Sequence, residues 1–246
     1  MRTVQYQQSY SELLKKRLGK GLLILFSVLI LVVFITSIAP KISSNLVVIL
    51  VIIVFGIILI RYTFITIGDI YVEYRKAKYG VEGENLVKEE LSKFFDDSYV
   101  YISNFIIPET KIGDIDGILI GPKGLFIIEV KNWAGRFRIS STDMLRHLKG
   151  DIFKLYRKNA FYQIGRQVNY LKKYFKNKNI DIDIIPTFVL VDGKIETIVG
   201  ETGIFVCELN KLINHLFEFK PKPEFTKEFC DSLVNVLIPT NEFEKK

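Results

Sequence analysis

The chain has 246 residues, 49% of them hydrophobic, and a formal net charge of +7. A chain of this length can bury a large core, and its positive charge suits a protein that meets a polyanion such as nucleic acid. Its two cysteines and two histidines exclude a disulfide scaffold and the common zinc-site spacings. We expect both thiols to stay reduced in the cytoplasm.

Two uncharged apolar runs, 21–39 and 46–60, dominate the first third of the chain. A membrane-spanning helix needs about 20 apolar residues, so the first run is long enough by itself. The second becomes long enough when it extends past Arg61, whose side chain can reach back to the membrane interface. We therefore predict a transmembrane helical hairpin over 21–67, with its turn at 40–45.

Basic residues flank the outer ends of this hairpin, whereas the turn carries only Lys41. The flanking cations are Lys15, Lys16, Arg17, Lys20, Arg75, Lys76 and Lys78. By the positive-inside rule we expect a multi-pass protein of a bacterial cell membrane with both ends in the cytoplasm. Residues 1–20 would form a basic cytoplasmic N-terminus and 68–79 a polar connector. The alternatives are a signal peptide cleaved after Ala39 and a buried core hairpin of a soluble protein.

The apolar spacing of the remaining two thirds predicts alternating helices and strands. Predicted helices are 83–95, 161–175, 209–217 and 226–237. Predicted strands are 99–107, 115–120, 125–131, 136–139, 184–191 and 204–207. This order predicts an α/β fold in which helices flank a mixed sheet. We place the domain proper at 80–208 and a C-terminal helical extension at 209–246.

A predicted β-hairpin brings two carboxylates together. Residues 121–124, Gly-Pro-Lys-Gly, form a tight-turn pattern between the strand that follows Asp116 and the strand that ends at Lys131. Because strand residues i and i+2 share a face, Glu129 and Lys131 project together. Two carboxylates at a strand end suit a hard divalent cation such as Mg²⁺, and a neighbouring ammonium can orient water or stabilise a developing phosphorane.

The stretch 113–138 resembles the NERD (nuclease-related) domain of the PD-(D/E)XK phosphodiesterase superfamily. Its Ile-Asp, apolar strand, Gly turn, second apolar strand and Glu-Val-Lys-Asn-Trp-Ala-Gly follow that family's pattern almost without gaps. The resemblance extends over roughly 78–208 and does not reach the apolar runs. It implies a restriction-endonuclease-like core and a nuclease that hydrolyses DNA or RNA.

Two flanking motifs add to the resemblance. Gly83-Glu84 is similar to the Gly-Glu that begins the family's first helix, whose glutamate faces the metal site. The segment from Asn159 to Gln163 is similar to the family's Asn-Pro-Leu-x-Gln motif at the head of a helix, with Ala160 where proline is usual. Both motifs lie outside the predicted hairpin, so they support the resemblance independently of it.

The resemblance implies a Mg²⁺ or Mn²⁺ site. Asp116 and Glu129 would hold the cation, with the Val130 carbonyl as a further ligand. Glu84 would complete the site directly or through a water. Asp114 shares a face with Asp116 if its strand begins early, which makes it a candidate for contacting the ligands from behind.

For catalysis, the resemblance implies that Lys131 positions or helps to deprotonate the attacking water and that Gln163 orients Lys131 or a phosphate. Each motif also has a simpler interpretation. A strand-edge Glu-x-Lys can be a solvated charge pair worth under about 1 kcal/mol. Glu84 can merely complement a helix dipole. The chain would then be an inactive nucleic-acid-binding module or a protein-recruiting module on the membrane.

Basic and aromatic residues alternate over 149–178. Such a mixture can follow a phosphate backbone and stack on bases, although a solvated helix face is the alternative. The candidate nucleic-acid contacts are Lys149, Lys154, Arg157, Lys158 and Arg166. Trp133 is predicted to be a packing anchor rather than a base-stacking platform.

Overall fold

The computed structural model describes residues 1–5, 10–42, 46–110, 113–220 and 224–238. The chain divides into two units. The smaller unit is Gln8–Val81, and the larger combines Met1–Gln7 with Glu82–Lys246.

Two long helices make up the smaller unit. Helix α1 covers Tyr10–Ile42, and helix α2 covers Leu46–Phe94, so its last part belongs to the larger unit. Both are long and apolar enough to cross a membrane, and only 6% of the most apolar window of each is buried. In a core hairpin of a soluble protein, the alternative considered above, most of these apolar residues would be buried.

The two helices approach closely at two glycines. A Cβ on Gly56 would lie 3.0 Å from Cγ1 of Val32, and a Cβ on Gly21 would lie 3.3 Å from Cγ1 of Ile67. Small residues at such contacts let helix backbones come together in a membrane, where apolar packing replaces the hydrophobic effect as the driving force. The two contacts therefore suit a helical hairpin.

Several helix boundaries differ from the predicted ones. Helix α1 continues through Pro40 to Ile42, and the rest of the predicted turn, 43–45, lies outside the described residues. Helix α2 continues through 68–79 and past Gly83, so no helix begins at that glycine. An isolated glycine inside a helix costs only about 1 kcal/mol, which the packing of the helix can offset.

The described part of the larger unit contains ten strands and three further helices. The strands are β1 Arg2–Gln5, β2 Val100–Ile106, β3 Asp114–Gly121, β4 Gly124–Lys131, β5 Gly135–Ile139, β6 Met144–Lys149, β7 Ile152–Arg157, β8 Ile184–Leu190, β9 Gly193–Ile198 and β10 Phe205–Glu208. The helices are α3 Tyr162–Lys176, α4 Leu209–Glu218 and α5 Lys227–Leu237.

These strands form a six-stranded sheet in the order β1-β2-β3-β4-β8-β10 and a four-stranded sheet in the order β7-β6-β5-β9. In the larger sheet β2, β3 and β4 are antiparallel, whereas β1, β8 and β10 pair in parallel with their neighbours. One face packs against α3 and α5, and the other against α4 and the end of α2. The predicted α/β fold with a mixed sheet between helices is thus confirmed.

The chain forms three elements that the sequence analysis did not predict: β1, the β6–β7 hairpin and β9. The hairpin turns at Gly150, whose φ of +57° suits glycine. It places Lys149, Lys154 and Arg157 on strands. These three residues therefore cannot belong to a solvated helix face, the alternative interpretation of 149–178. That alternative is left for the basic residues of α3 alone.

Candidate active site

The β3–β4 hairpin sets the geometry of the site. Gly121 pairs with Gly124 across a two-residue turn, as predicted, which aligns the strands in antiparallel register. At the open end of the hairpin the backbone N–H of Val130 donates a 2.8 Å hydrogen bond to Oδ2 of Asp116. The hairpin therefore fixes the Asp116 carboxylate beside the Glu129–Lys131 end of β4.

Glu129 and Lys131 project together from β4, as the strand period predicts. Lys131 Nζ lies 2.5 Å from Oε1 of Glu129 and 3.9 Å from Oδ2 of Asp116. Glu129 is only 1% exposed, so its charge is removed from bulk water. The solvated charge pair is therefore wrong as an interpretation of this motif, because one ammonium holds a buried carboxylate.

Helix α3 contributes two glutamines to this end of the sheet. Gln163 Nε2 donates to Oε2 of Glu129 at 3.2 Å, so Gln163 contacts the carboxylate rather than Lys131. One turn later, the buried Gln167 donates to the backbone oxygen of Asp114 at 3.0 Å. The sequence analysis missed Gln167, although its i+4 spacing from Gln163 places both on one helix face.

Helix α2 brings Glu84 to the same region through a close approach at Gly83. A Cβ on Gly83 would lie 2.8 Å from Cβ of Asn132, so a larger residue would push α2 away from the end of β4. Burial, with a contribution from the Asp114 charge, raises the pKa of Glu84 to about 7. Glu84 lies inside α2 rather than at its start, so the helix-dipole interpretation is wrong.

The electrostatics of the site follow from burial and crowding of like charges. Burial and the neighbouring Glu129 carboxylate raise the pKa of Asp116 well above its usual range. Burial opposes the charge of Lys131, but the carboxylates of Glu129 and Asp116 outweigh it and raise the pKa of the ammonium. The carboxyl groups of Asp116, Glu129 and Glu84 therefore surround one ammonium, that of Lys131. A single positive charge is too small to stabilise all three groups in their ionised form.

Tyr101 is a further buried residue that the sequence analysis missed. A Cβ on Gly117 would lie 2.3 Å from the Tyr101 hydroxyl oxygen, so the glycine beside Asp116 makes room for the phenol. Burial and the charges of Asp116 and Glu84 raise the pKa of Tyr101. Its hydroxyl makes no hydrogen bond within the described residues.

Residues 79–191 match the model of the NERD family, whose description is nuclease-related domain. This segment is a NERD domain. The match includes β3, β4, α3 and the part of α2 that carries Glu84. No curated protein and no solved structure matches the chain.

The candidate metal ligands of this NERD domain are carboxylate and carbonyl oxygens, which are the ligand type that a hard divalent cation prefers. Oε1 of Glu129 is buried and, apart from its ion pair with Lys131, receives no hydrogen bond. The Val130 N–H points to Asp116, and its carbonyl leaves β4 on the same edge because both belong to one residue of a strand. Within the described residues, however, no group of three or more His, Cys, Asp or Glu side chains converges as a ligand set.

The other predicted residues of the NERD domain lie around this centre. Asp114 begins β3 and shares the face of Asp116, as expected for an early strand start. Trp133 packs against the rings of Phe137, Tyr156 and Phe188, which confirms its role as an anchor. The candidate nucleic-acid contacts are exposed or partly exposed: Lys149, Lys154 and Arg157 on the β6–β7 hairpin, Lys158 after it and Arg166 on α3.

Proposed function

We propose that the protein is a membrane-anchored nuclease that uses a divalent metal and whose NERD domain lies in the cytoplasm. The convergence of Asp116, Glu129 and Lys131 at one end of the β3–β4 hairpin carries this proposal. Two carboxylates beside an ammonium suit phosphodiester hydrolysis, because the oxygens accept a cation and the ammonium faces the anionic phosphate.

In this proposal the carboxylates of Asp116 and Glu129 and the carbonyl of Val130 would hold Mg²⁺ or Mn²⁺, and Glu84 would complete the site directly or through a water. A cation bound there would supply positive charge to the developing phosphorane. Ionised Glu84 would add negative charge to a donor set that otherwise has only two carboxylates. Asp114 would not hold the cation itself. It would act on the site through Glu84, whose pKa its charge raises.

Lys131 and Gln163 act on the positions of the reacting groups. Lys131 is held as an ammonium by Glu129, which suits orienting the attacking water and stabilising phosphate charge better than removing a proton. Gln163 holds Oε2 of Glu129 at 3.2 Å and so fixes the rotamer of that carboxylate. The water can then attack the phosphorus in line with the leaving oxygen, whose bond to phosphorus breaks as the new P–O bond forms, and the proton of the water passes through solvent to that leaving oxygen.

The membrane anchor is the helical pair α1 and α2. Strand β1 precedes α1 and pairs in parallel with β2 of the larger unit, to which the chain returns after α2. If the apolar helices cross a membrane, they must therefore do so an even number of times. Together with the basic flanks, this supports a hairpin with both ends in the cytoplasm.

A NERD domain that binds nucleic acid without cutting it is the second candidate. The observation that favours it is the lack of three converging metal-binding side chains among the described residues. The ammonium of Lys131 already neutralises Glu129 at 2.5 Å and could substitute for a cation in a purely structural site.

The test is cleavage of end-labelled single- and double-stranded DNA and RNA by the full chain in detergent, with Mg²⁺, Mn²⁺ or EDTA. We expect metal-dependent cleavage that Asp116→Asn and Glu129→Gln each reduce by two orders of magnitude or more. Glu201→Gln, which neutralises an exposed carboxylate outside the site, is the matched control. Wild-type protein that binds nucleic acid but cuts none of these substrates would establish the second candidate.

A further inference from the structure

The four-stranded sheet carries arginines on both faces, and among the described residues a carboxylate pairs with Arg136 and Arg138 of one face. Arg136 and Arg138 of β5 both contact Glu196, at 3.0 and 3.5 Å. Arg146 of β6 lies opposite Phe137 of β5, so its side chain leaves from the face opposite to that of Arg138. Within the described part of the chain no carboxylate pairs with Arg146.

Arg146 lies among aromatic rings instead. Its guanidinium carbon is 5.4 Å from the ring centre of Tyr156 and 6.0 Å from that of Phe137. The Tyr156 ring stands edge-on to Trp133 at 5.1 Å and keeps 39% of its surface exposed. Since Trp133 follows Lys131 by two residues, a reach of at most about 7 Å, this cluster lies beside the end of β4.

A second cation, Lys154, lies directly opposite Arg146 in the β6–β7 hairpin. Like charges at directly opposed positions of an antiparallel pair repel and destabilise it. Lys154 is exposed, and no ion pair links it to a carboxylate of the described residues. An anion between the two cations would remove their repulsion, and the phosphate of a nucleic-acid backbone is such an anion.

We propose that Arg146, Lys154 and Tyr156 form a subsite for single-stranded nucleic acid beside the catalytic carboxylates. Arg146 and Lys154 bind a backbone phosphate, and the exposed Tyr156 ring stacks on a base. An unpaired base offers its face to an aromatic ring, whereas the faces of duplex bases are covered by their neighbours. The inference rests on the proposed nuclease function and assigns its substrate class as single-stranded DNA or RNA.

The test is the fluorescence anisotropy of labelled oligothymidine, oligouridine and a duplex of the same length, titrated with the full chain in detergent. EDTA is present so that binding is measured without cleavage. Arg146→Gln and Tyr156→Leu are each expected to weaken single-strand binding about tenfold and duplex binding less. Arg138→Gln removes the same charge from the carboxylate-paired face and is expected to bind like the wild type.

Tyr156→Phe keeps the stacking ring and is expected to retain wild-type affinity, which separates lost stacking from misfolding. The subsite is refuted if Arg146→Gln loses no more affinity than Arg138→Gln and Tyr156→Leu loses no affinity. It is also refuted if every variant loses as much affinity for the duplex as for the single strands. Binding through these residues without any metal-dependent cleavage supports the subsite and refutes the nuclease. If the wild type cleaves nucleic acid and the subsite variants bind it with normal affinity, the nuclease is supported and the subsite is refuted.

Discussion

At Glu129 a charged side chain is almost completely buried. An isolated carboxylate that is only 1% exposed would cost several kcal/mol to ionise, so it needs partners. Lys131 and Gln163 supply them at 2.5 and 3.2 Å. Such an arrangement contributes little to stability compared with an apolar residue of similar volume, which is why we interpret it as functional.

Glu84 gives the site a measurable pH dependence. Its pKa is raised from 4.5 to about 7 in the folded protein, so the protonated form stabilises the fold below about pH 4.5. That contribution is lost as the pH rises towards 7, because unfolding then releases a proton. In the metal-free protein we expect the free energy of unfolding, relative to Glu84→Gln, to fall between these pH values by up to about 3 kcal/mol.

The measurement is urea unfolding of the full chain in detergent with EDTA, followed by the fluorescence of Trp133, the single tryptophan. The charges of Lys131, Asp114 and Glu129 face Glu84 in both proteins, so their effects on stability largely cancel in the comparison. Parallel stability curves for the wild type and Glu84→Gln across this range would contradict the raised pKa.

The sequence predicted the residues of the hairpin better than those that reach it from elsewhere. Asp116, Glu129 and Lys131 followed from a two-residue turn and the strand period, both of which are local properties. Tyr101 is placed by the packing of β2 against the site, which no local pattern marks. The i+4 spacing of Gln163 and Gln167 indicates that they share one face of α3, but it does not indicate that this face packs against the site. The contact of Gln163 with Glu129 likewise became visible only in the fold.

At the scale of elements, β2 and β3 pack so closely that a Cβ on Gly117 would overlap the Tyr101 side chain. Gly117 lies diagonally from Tyr101 in the register of the two strands. Tyr101 is 1% exposed, so its ring cannot move aside into solvent. The strand that carries Asp116 is thereby fixed against β2.

We expect Gly117→Ala to lower the free energy of unfolding by about 1–3 kcal/mol, because its Cβ would lie 2.3 Å from the Tyr101 hydroxyl oxygen. Gly165→Ala is the control, since nothing lies within 4 Å of a Cβ on that helical glycine. Its helix propensity should raise stability by up to about 1 kcal/mol. Urea unfolding of both variants tests this contact. If Gly117→Ala were as stable as the wild type, the Tyr101 ring would have to shift to make room for the added Cβ at no cost in free energy.

The strands of the large sheet were predictable because their apolar runs are long and bounded by turns. The β6–β7 hairpin was not, since its strands carry cations and apolar residues on partly exposed faces and lack a buried run. Strand β1 is four residues long and pairs with a strand that begins at Val100. A parallel partner so distant in sequence leaves no local signal.

For the whole molecule, the position of β1 makes membrane topology a testable part of the account. Reporters fused before Met1 and after Lys246 are expected to be active only in the cytoplasm. A cysteine introduced by Ser44→Cys should react with a membrane-impermeant thiol reagent from outside, whereas the native Cys207 and Cys230 are buried. Reporters on opposite sides, or release of the protein by alkaline carbonate, would contradict the hairpin.

The most direct test of the account is metal-dependent cleavage by Lys131→Ala, with Mn²⁺ binding measured on the same preparation. Asp116 and Glu129 remain in this variant, so we predict retained metal binding and a loss of cleavage of at least two orders of magnitude. Lys131→Arg should also fail, because a planar guanidinium does not replace a compact ammonium at 2.5 Å from Glu129. Cleavage by Lys131→Ala at the wild-type rate would contradict the proposed site.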